Sequence, residues 1–212
     1  MRSNECPDLG QEARLWLAGY AAIAGLDEAG RGALAGPVVA GALALPKGVE
    51  LAGIWAEVRD SKALSPARRE EMAVRIRREA AGWAVGEASA REIDAIGIAP
   101  ATRLAMQRAL DALPVRPDYL LLDWVRLATV NLPQESFVKG DRRIVSIAAA
   151  SILAKVHRDR LLVEMDRLYP VYGFAAHKGY GSASHLAAIA AHSPCPEHRR
   201  SFSPMRWLED IG

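Results

Sequence analysis

The sequence predicts a layered α/β domain. Three observations carry that prediction: short apolar runs that close on carboxylates, longer segments with helical spacing between them, and the order hairpin, helix, strand, helices, strand, strand, helices. A chain of 212 residues, 50% hydrophobic and 25% charged, suits a single domain over residues 1–212. The net charge of +2 permits a nucleic-acid partner without indicating one.

Residues 1–14 show no clear period and are expected to form a loose arm. They lack the apolar core of a signal peptide, and no later segment reaches the ~18 uninterrupted apolar residues of a membrane span, so no membrane partner and a cytoplasmic location are expected. Cys6 and Cys195 are too few for a disulfide framework, which agrees with a reducing compartment.

Residues 23–26 and 38–43 read as buried strands, and residues 30–37 between them carry the Gly and Pro of a turn. This hairpin places Asp27 and Glu28 at its end. Neighbouring strand side chains point to opposite faces, so the two acids converge on one ligand only if the backbone leaves the pleat at Glu28. Two ionised carboxylates in an apolar run need either a cation or a solvated end with an ion pair to Arg31. The glycines at 30, 32 and 36 are one residue too widely spaced for a dinucleotide fingerprint, and a strand follows them where a helix should open.

Ser65-Pro66 is a helix start, with the helix running to about residue 81. Met72, Ile76 and Ala80 take its inner face, and Arg68, Arg69, Arg75, Arg77 and Arg78 a solvated one. Residues 83–87 read as a strand, and Ser89 with Glu92 as a capping box. A helix fits residues 100–113, stopped by Pro114 and Pro117; residues 118–123 then form a buried strand closing on Asp123. Residues 136–138 are β-prone and lead to Lys139-Gly140-Asp141, a third acid at an element boundary. Residues 144–169 form a long buried helix stopped by Pro170, whose Ser151, Lys155, Arg158 and Asp159 share one polar stripe facing solvent or a groove. Shorter helices are expected over residues 183–191 and 204–210. His177, His185, His192, Cys195 and His198 match no structural zinc spacing, and Pro194 and Pro196 indicate a plain loop.

The segment DEAGRGALAGPVVA, residues 27–40, resembles the signature of bacterial ribonuclease HII, in the type 2 ribonuclease H family. Asp60 to Ser65, Val138 to Asp141, Ser146 to Lys155 and His177 to Gly181 resemble further blocks of that family in the same order, so the resemblance spans about residues 22–202. It implies a ribonuclease H-like fold: a five-stranded mixed sheet flanked by helices, with a helical C-terminal extension over about residues 170–212. It also implies an endonuclease that hydrolyses the RNA strand of RNA/DNA hybrids and cuts 5′ of single ribonucleotides in duplex DNA, leaving 3′-hydroxyl and 5′-phosphate ends. Carried over residue by residue, the catalytic and metal-holding carboxylates fall on Asp27, Glu28, Asp123 and Asp141, with Mg²⁺ or Mn²⁺ as cofactor. Substrate-binding positions fall on Gly30, Arg31, Gly32, Lys62, Ser151, Lys155 and Tyr180.

A monomer is expected, with RNA/DNA hybrid and ribonucleotide-containing DNA as partners. Asp8, Asp60, Asp94, Asp118 and Asp159 are not assigned to metal, since capping, turn or ion-pair roles are at hand for several of them. Ala33, Trp124 and Ser182 depart from the family's common Pro, Gly and Thr; Trp124, beside a ligand, is the most consequential. The competing readings are another two-metal nuclease of the same fold, such as ribonuclease HIII or a resolvase, and a hybrid-binding protein without catalysis. The short N-terminal arm weakens the ribonuclease HIII reading, and a full set of acids argues against a pure polyanion binder.

Overall fold

The computed structural model describes residues 6–203 and 205. Its elements are α1 (Gly10–Leu17), β1 (Ile23–Ala29), β2 (Val38–Ala44), α2 (Ile54–Glu57), α3 (Pro66–Glu79), β3 (Gly82–Ala88), α4 (Ala90–Ile96), α5 (Ile98–Asp111), β4 (Tyr119–Asp123), β5 (Gln134–Phe137), α6 (Val145–Leu168), α7 (Phe174–His177) and α8 (Ala183–His192). The strands form one mixed sheet in the order β3-β2-β1-β4-β5. β1 pairs antiparallel with β2 and parallel with β4, while β2–β3 is antiparallel and β4–β5 parallel.

Helices cover both faces, as the buried runs of β1 and β2 require. On one face, Ala24, Leu26, Ala40, Ala42, Leu120 and Leu122 pack with Ala101, Ala105, Met106 and Ala109 of α5. On the other face lies α6, whose Ala148, Ala149, Ala150 and Ile152 are fully buried. Glycine brings that helix unusually close. A Cβ on Gly25 would lie 2.3 Å from the Ser146 carbonyl carbon, and one on Gly41 would lie 2.3 Å from the Ala150 carbonyl oxygen.

Several expectations are corrected by packing between distant parts of the chain. Residues 1–14 were expected to be a loose arm, yet Gly10 opens α1 and the segment is docked: Asp8 bridges Ile144, and Glu12, fully buried, accepts the Ser146 amide at 2.9 Å. The backbone does not leave the pleat at Glu28, since β1 and β2 stay in register through Asp27↔Gly41 and Glu28↔Ala40. Arg69 is buried rather than solvated, because it donates to the carbonyls of Ser61 and Leu64 at 2.9 and 2.6 Å. Arg158 faces neither solvent nor a groove and is fully buried. The capping box at Ser89 and Glu92 forms as expected. The helix expected over residues 204–210 lies, except for Met205, outside the described residues.

No helix among the described residues is long and apolar enough to cross a membrane. The close approach of α6 gives a direct test. Gly41→Ala should destabilise the protein by about 1–3 kcal/mol, because helix backbone rather than a side-chain tip must yield to the new methyl. A lowered urea midpoint at unchanged slope would register it.

Candidate active site

The site lies where parallel strands β1 and β4 end together. Ile23 and Gly25 face α6, and strand alternation puts Asp27 on that face as well. Tyr119 and Leu121 face the same way, so Asp123 emerges beside Asp27, one residue beyond the pair Leu26↔Leu122. Asp141 arrives from a single 3₁₀ turn, Gly140–Arg142, that follows β5. Lys139 enters that turn in the left-handed region, φ 57°, and the Gly140 amide donates to Asp123 Oδ1 at 2.7 Å. Strand order and one tight turn therefore set three acids on one face.

Glu28 follows the regular pleat onto the opposite face. Its Oε1 accepts the indole Nε1–H of Trp124 at 3.1 Å, and its buried Oε2 has no hydrogen-bond partner among the described residues. Among the described residues no three His, Cys, Asp or Glu side chains stand placed to hold a metal ion as they are.

The electrostatics show what the acids lack. Burial raises the Asp27 carboxyl well above its ordinary value, and the charges of Glu28, Asp123 and Asp141 push it further. Burial likewise raises Glu28, Asp123 and Asp141, with Asp123 adding to the rise at Glu28, Asp141 to that at Asp123, and Asp60 to that at Asp141. Lys62 stands 3.9 Å from Asp141, and being largely exposed it offsets little. Hard carboxylate oxygens, crowded and one of them orphaned, fit Mg²⁺ or Mn²⁺ in donor chemistry.

Above the acids, the loop of residues 30–37 is held from below by two arginines. Arg199 donates from Nη2 to the Gly30 carbonyl and from Nη1 to that of Arg31, both at 2.8 Å, and from Nε to Gly36 at 2.9 Å. Arg158 donates to the carbonyls of Pro37 and Lys178 at 2.9 Å and of Ala35 at 3.0 Å. Both are fully buried, and neither is ion-paired among the described residues. Burial lowers the Arg199 guanidinium to about 9, helped by the charge of Arg158, and burial lowers Arg158 too. Gly30 must be glycine here, since its φ is 88° and a Cβ would fall on the Arg158 side chain.

The other expected binding residues divide. Gly32 is exposed with nothing within 4 Å of a Cβ, and Arg31 lies with its guanidinium carbon 3.8 Å from the Trp124 ring centre. Tyr180 is 40% exposed, with Lys155 Nζ 6.0 Å and the Arg158 guanidinium 5.5 Å from its ring centre. Lys155 pairs with Asp159 at 2.6 Å, the role expected of Asp159. A groove of about 360 Å³ beside this pair is lined by Arg69, Lys155, Asp159 and Lys178 and contains none of the four acids. Ser151 is buried with its hydroxyl 3.1 Å from that of Ser61, and its hydroxyl works against the rise at Asp27.

The histidines behave as a core. His185 Nε2 is 3.1 Å from His198 Nε2, His198 Nδ1 is 3.2 Å from Cys195 Sγ, and His185 Nδ1 reaches the Tyr180 carbonyl at 2.9 Å. Burial holds His198 down to about 4 and lowers His185 as well. Asp94 and Asp118 are spent on distant amides, at Arg200 and Ser201 and at Ala21 and Ala22. Sequence reasoning missed Arg158, Arg199 and the Trp124–Glu28 bond as parts of the site. Arg199 carries no local signal, since its partners are some 165 residues away in the chain.

A family model for Ribonuclease HII matches residues 24–209. A ribonuclease HII from Dehalococcoides mccartyi is 50% identical over 207 residues, covering 97% of each chain. Among solved structures, the ribonuclease H2 of Pyrococcus horikoshii superposes with a TM-score of 0.75 at 26% identity, covering 90% of this chain and 98% of that one. The Bst ribonuclease HIII in complex with Mn²⁺ shares the fold, with a TM-score of 0.64 at 19% identity over 90% of this chain and 70% of that one.

The crowded acids make a signed prediction. Asp27 is raised when folded, so folding favours its protonated form: stability is fullest below the unfolded value of ~3.9 and is lost as pH rises through the raised folded value. His185 and His198, lowered when folded, act oppositely but equally in both variants. Asp27→Asn should therefore melt above the parent protein without divalent cation, with a gap that widens as pH rises above the unfolded value of ~3.9. A constant or reversed gap would mean that the charge at 27 is not strained.

Proposed function

The chain belongs to the ribonuclease HII family and is a nuclease of RNA/DNA hybrids that depends on metal; from that premise we propose that it cuts 5′ of single ribonucleotides embedded in duplex DNA as well as along hybrids. The observation that carries this reading is the gathering of Asp27, Asp123 and Asp141 on one face, beneath a loop whose carbonyls are turned inward. Asp27, Glu28, Asp123 and Asp141 would hold a pair of Mg²⁺ or Mn²⁺ ions. Bound there, the ions would activate the attacking water and stabilise the leaving 3′ oxygen, giving 3′-hydroxyl and 5′-phosphate ends.

The chain's own groups supply recognition. Only the 2′-hydroxyl distinguishes RNA from DNA along the strand, and it must be met at short range. The Gly30 carbonyl already accepts from Arg199 and the Ala33 amide, and the Arg31 carbonyl from Arg199, so the amides of residues 30–32 take the hydroxyl oxygen. Arg31 keeps its in-plane N–H edges for a phosphate while its flat face lies on Trp124. Lys62 and Lys155 supply further positive charge, and the exposed Tyr180 ring packs on the sugar next to the scissile phosphate. The enzyme acts as a monomer in the cytoplasm, a setting that its two free cysteines suit.

The deciding assay is a DNA duplex carrying one ribonucleotide, incubated with Mg²⁺ or Mn²⁺ and read on a gel. A cut immediately 5′ of the ribonucleotide supports the reading, whereas cleavage of continuous hybrid alone overturns it. Gly32→Ala should lower turnover with the salt dependence of binding preserved, because its methyl meets nothing in the free protein and intrudes only on a bound sugar. Arg31→Ala should instead weaken binding and flatten the salt dependence. Tyr180→Ala should reduce cleavage at a single ribonucleotide more than along continuous RNA; equal losses would give the ring a structural role.

A further inference from the structure

Trp124 stands in the turn directly after Asp123, and three features of it are unusual together. Its backbone is left-handed, φ 44°, a conformation that bulky side chains avoid, and it is held there while its amide donates to the Phe137 carbonyl at 2.9 Å. Its indole Nε1–H donates to Glu28 Oε1 at 3.1 Å across 96 residues of chain. The Arg31 guanidinium lies over its ring at 3.8 Å, close enough for a strong cation–π contact. The ring is 37% exposed, so core packing does not account for it.

The two oxygens of Glu28 are treated differently. Oε1 is taken by the indole, while Oε2 is buried with no partner among the described residues. A single donor on one oxygen fixes the rotation of the carboxylate and leaves the other oxygen available in a fixed direction. We propose that Trp124 is a positioning residue that orients Glu28 for a divalent cation at Oε2, and that the Arg31 stack fixes the indole, joining the substrate loop to the cation ligand through one side chain.

This rests on the reading of Glu28 as a cation ligand. Removal of such an outer partner typically weakens metal binding ~10–100-fold. The linkage also runs both ways: whatever stills Arg31, a bound phosphate included, stills the indole and with it Glu28.

The test is calorimetric titration of Mn²⁺ into the full chain, without nucleic acid, for the parent protein, Trp124→Phe, Glu28→Ala and the double variant. Trp124→Phe keeps an aromatic ring for Arg31 on the same backbone and removes the N–H donor together with the second ring of the indole. It should weaken Mn²⁺ binding roughly tenfold, at the low end of the effect of outer partners, and leave the cation-free melting temperature unchanged. Glu28→Ala should weaken it at least as much, and adding Trp124→Phe to that background should have no further effect.

If Glu28→Ala leaves Mn²⁺ affinity intact, the reading of Glu28 as a ligand fails. If Glu28→Ala weakens binding and Trp124→Phe does not, the positioning role is overturned while the ligand reading stands. An NMR measurement guards against a variant that folds poorly. In the unsubstituted protein the Trp124 indole N–H resonance, one of five, should shift as Mg²⁺ binds. Its staying fixed at saturating Mg²⁺ would overturn the proposal.

Discussion

Two guanidinium groups, buried without carboxylate partners among the described residues, are the constraint on which the rest of the site depends. Six main-chain carbonyls, at residues 30, 31, 35, 36, 37 and 178, turn inward to satisfy Arg158 and Arg199. A buried cation is tolerable only when its donors are met, so these carbonyls cannot turn outward without stranding a charge. The loop is shaped from beneath, and the amides of residues 33–36 are spent in turn on the carbonyls of Gly30, Gly179 and Glu197. The same arginine that bonds Ala35 and Pro37 also bonds Lys178, two residues before Tyr180, so one side chain ties the glycine loop to the exposed aromatic ring.

The acid cluster presents the opposite problem. Carboxylates held close in a buried place raise one another's protonation, and the bonds that oppose it, from Ser151 on Asp27, Trp124 on Glu28 and Gly140 on Asp123, do not outweigh burial. Such a site is strained when empty of cation, and along β1 the strain lies in charge rather than in backbone. The sheet around it shows none: β1 remains in register with β2 through both acids. Stability given up at this end is offset by the close seating of α6 on Gly25 and Gly41.

Much of the architecture was legible because local signals agreed with it. The acids at strand ends, Ser65-Pro66, the capping box at Ser89 and the proline stops each reflect a rule acting within a few residues, and the sheet and helices follow them. What was not legible depends on partners far away in the chain. Glu12 gives no signal because a helix of about two turns cannot reveal that its carboxylate will be spent on Ser146. Arg69 and Arg158 sit on faces that look solvated by spacing, yet each meets carbonyls that no spacing predicts. The expected departure from the pleat at Glu28 came from requiring both acids to reach one ligand directly. The fold meets the geometry differently, with Trp124 reaching around from the end of β4 to Glu28.

That difference explains how a regular strand can serve a site that needs neighbouring residues. Register in β1 is pinned on the α6 face by Gly25, where only hydrogen fits beneath Ser146, and on the other face by Ala24 and Leu26 against the α5 layer. A slip by one residue would drive a side chain into α6 and bury Glu28 where Asp27 belongs. With register fixed, alternation sends Asp27 toward Ser151 and Glu28 to the other face of the strand. Cooperation between the two acids must then be arranged at the end of the strand, by side chains arriving from the neighbouring strand. Asp123 and Trp124 are adjacent residues that do this on opposite faces, the first beside Asp27 and the second against Glu28. The left-handed backbone at Trp124 is the local strain accepted so that the chain, turning out of β4, can present a carboxylate to one face and an indole to the other.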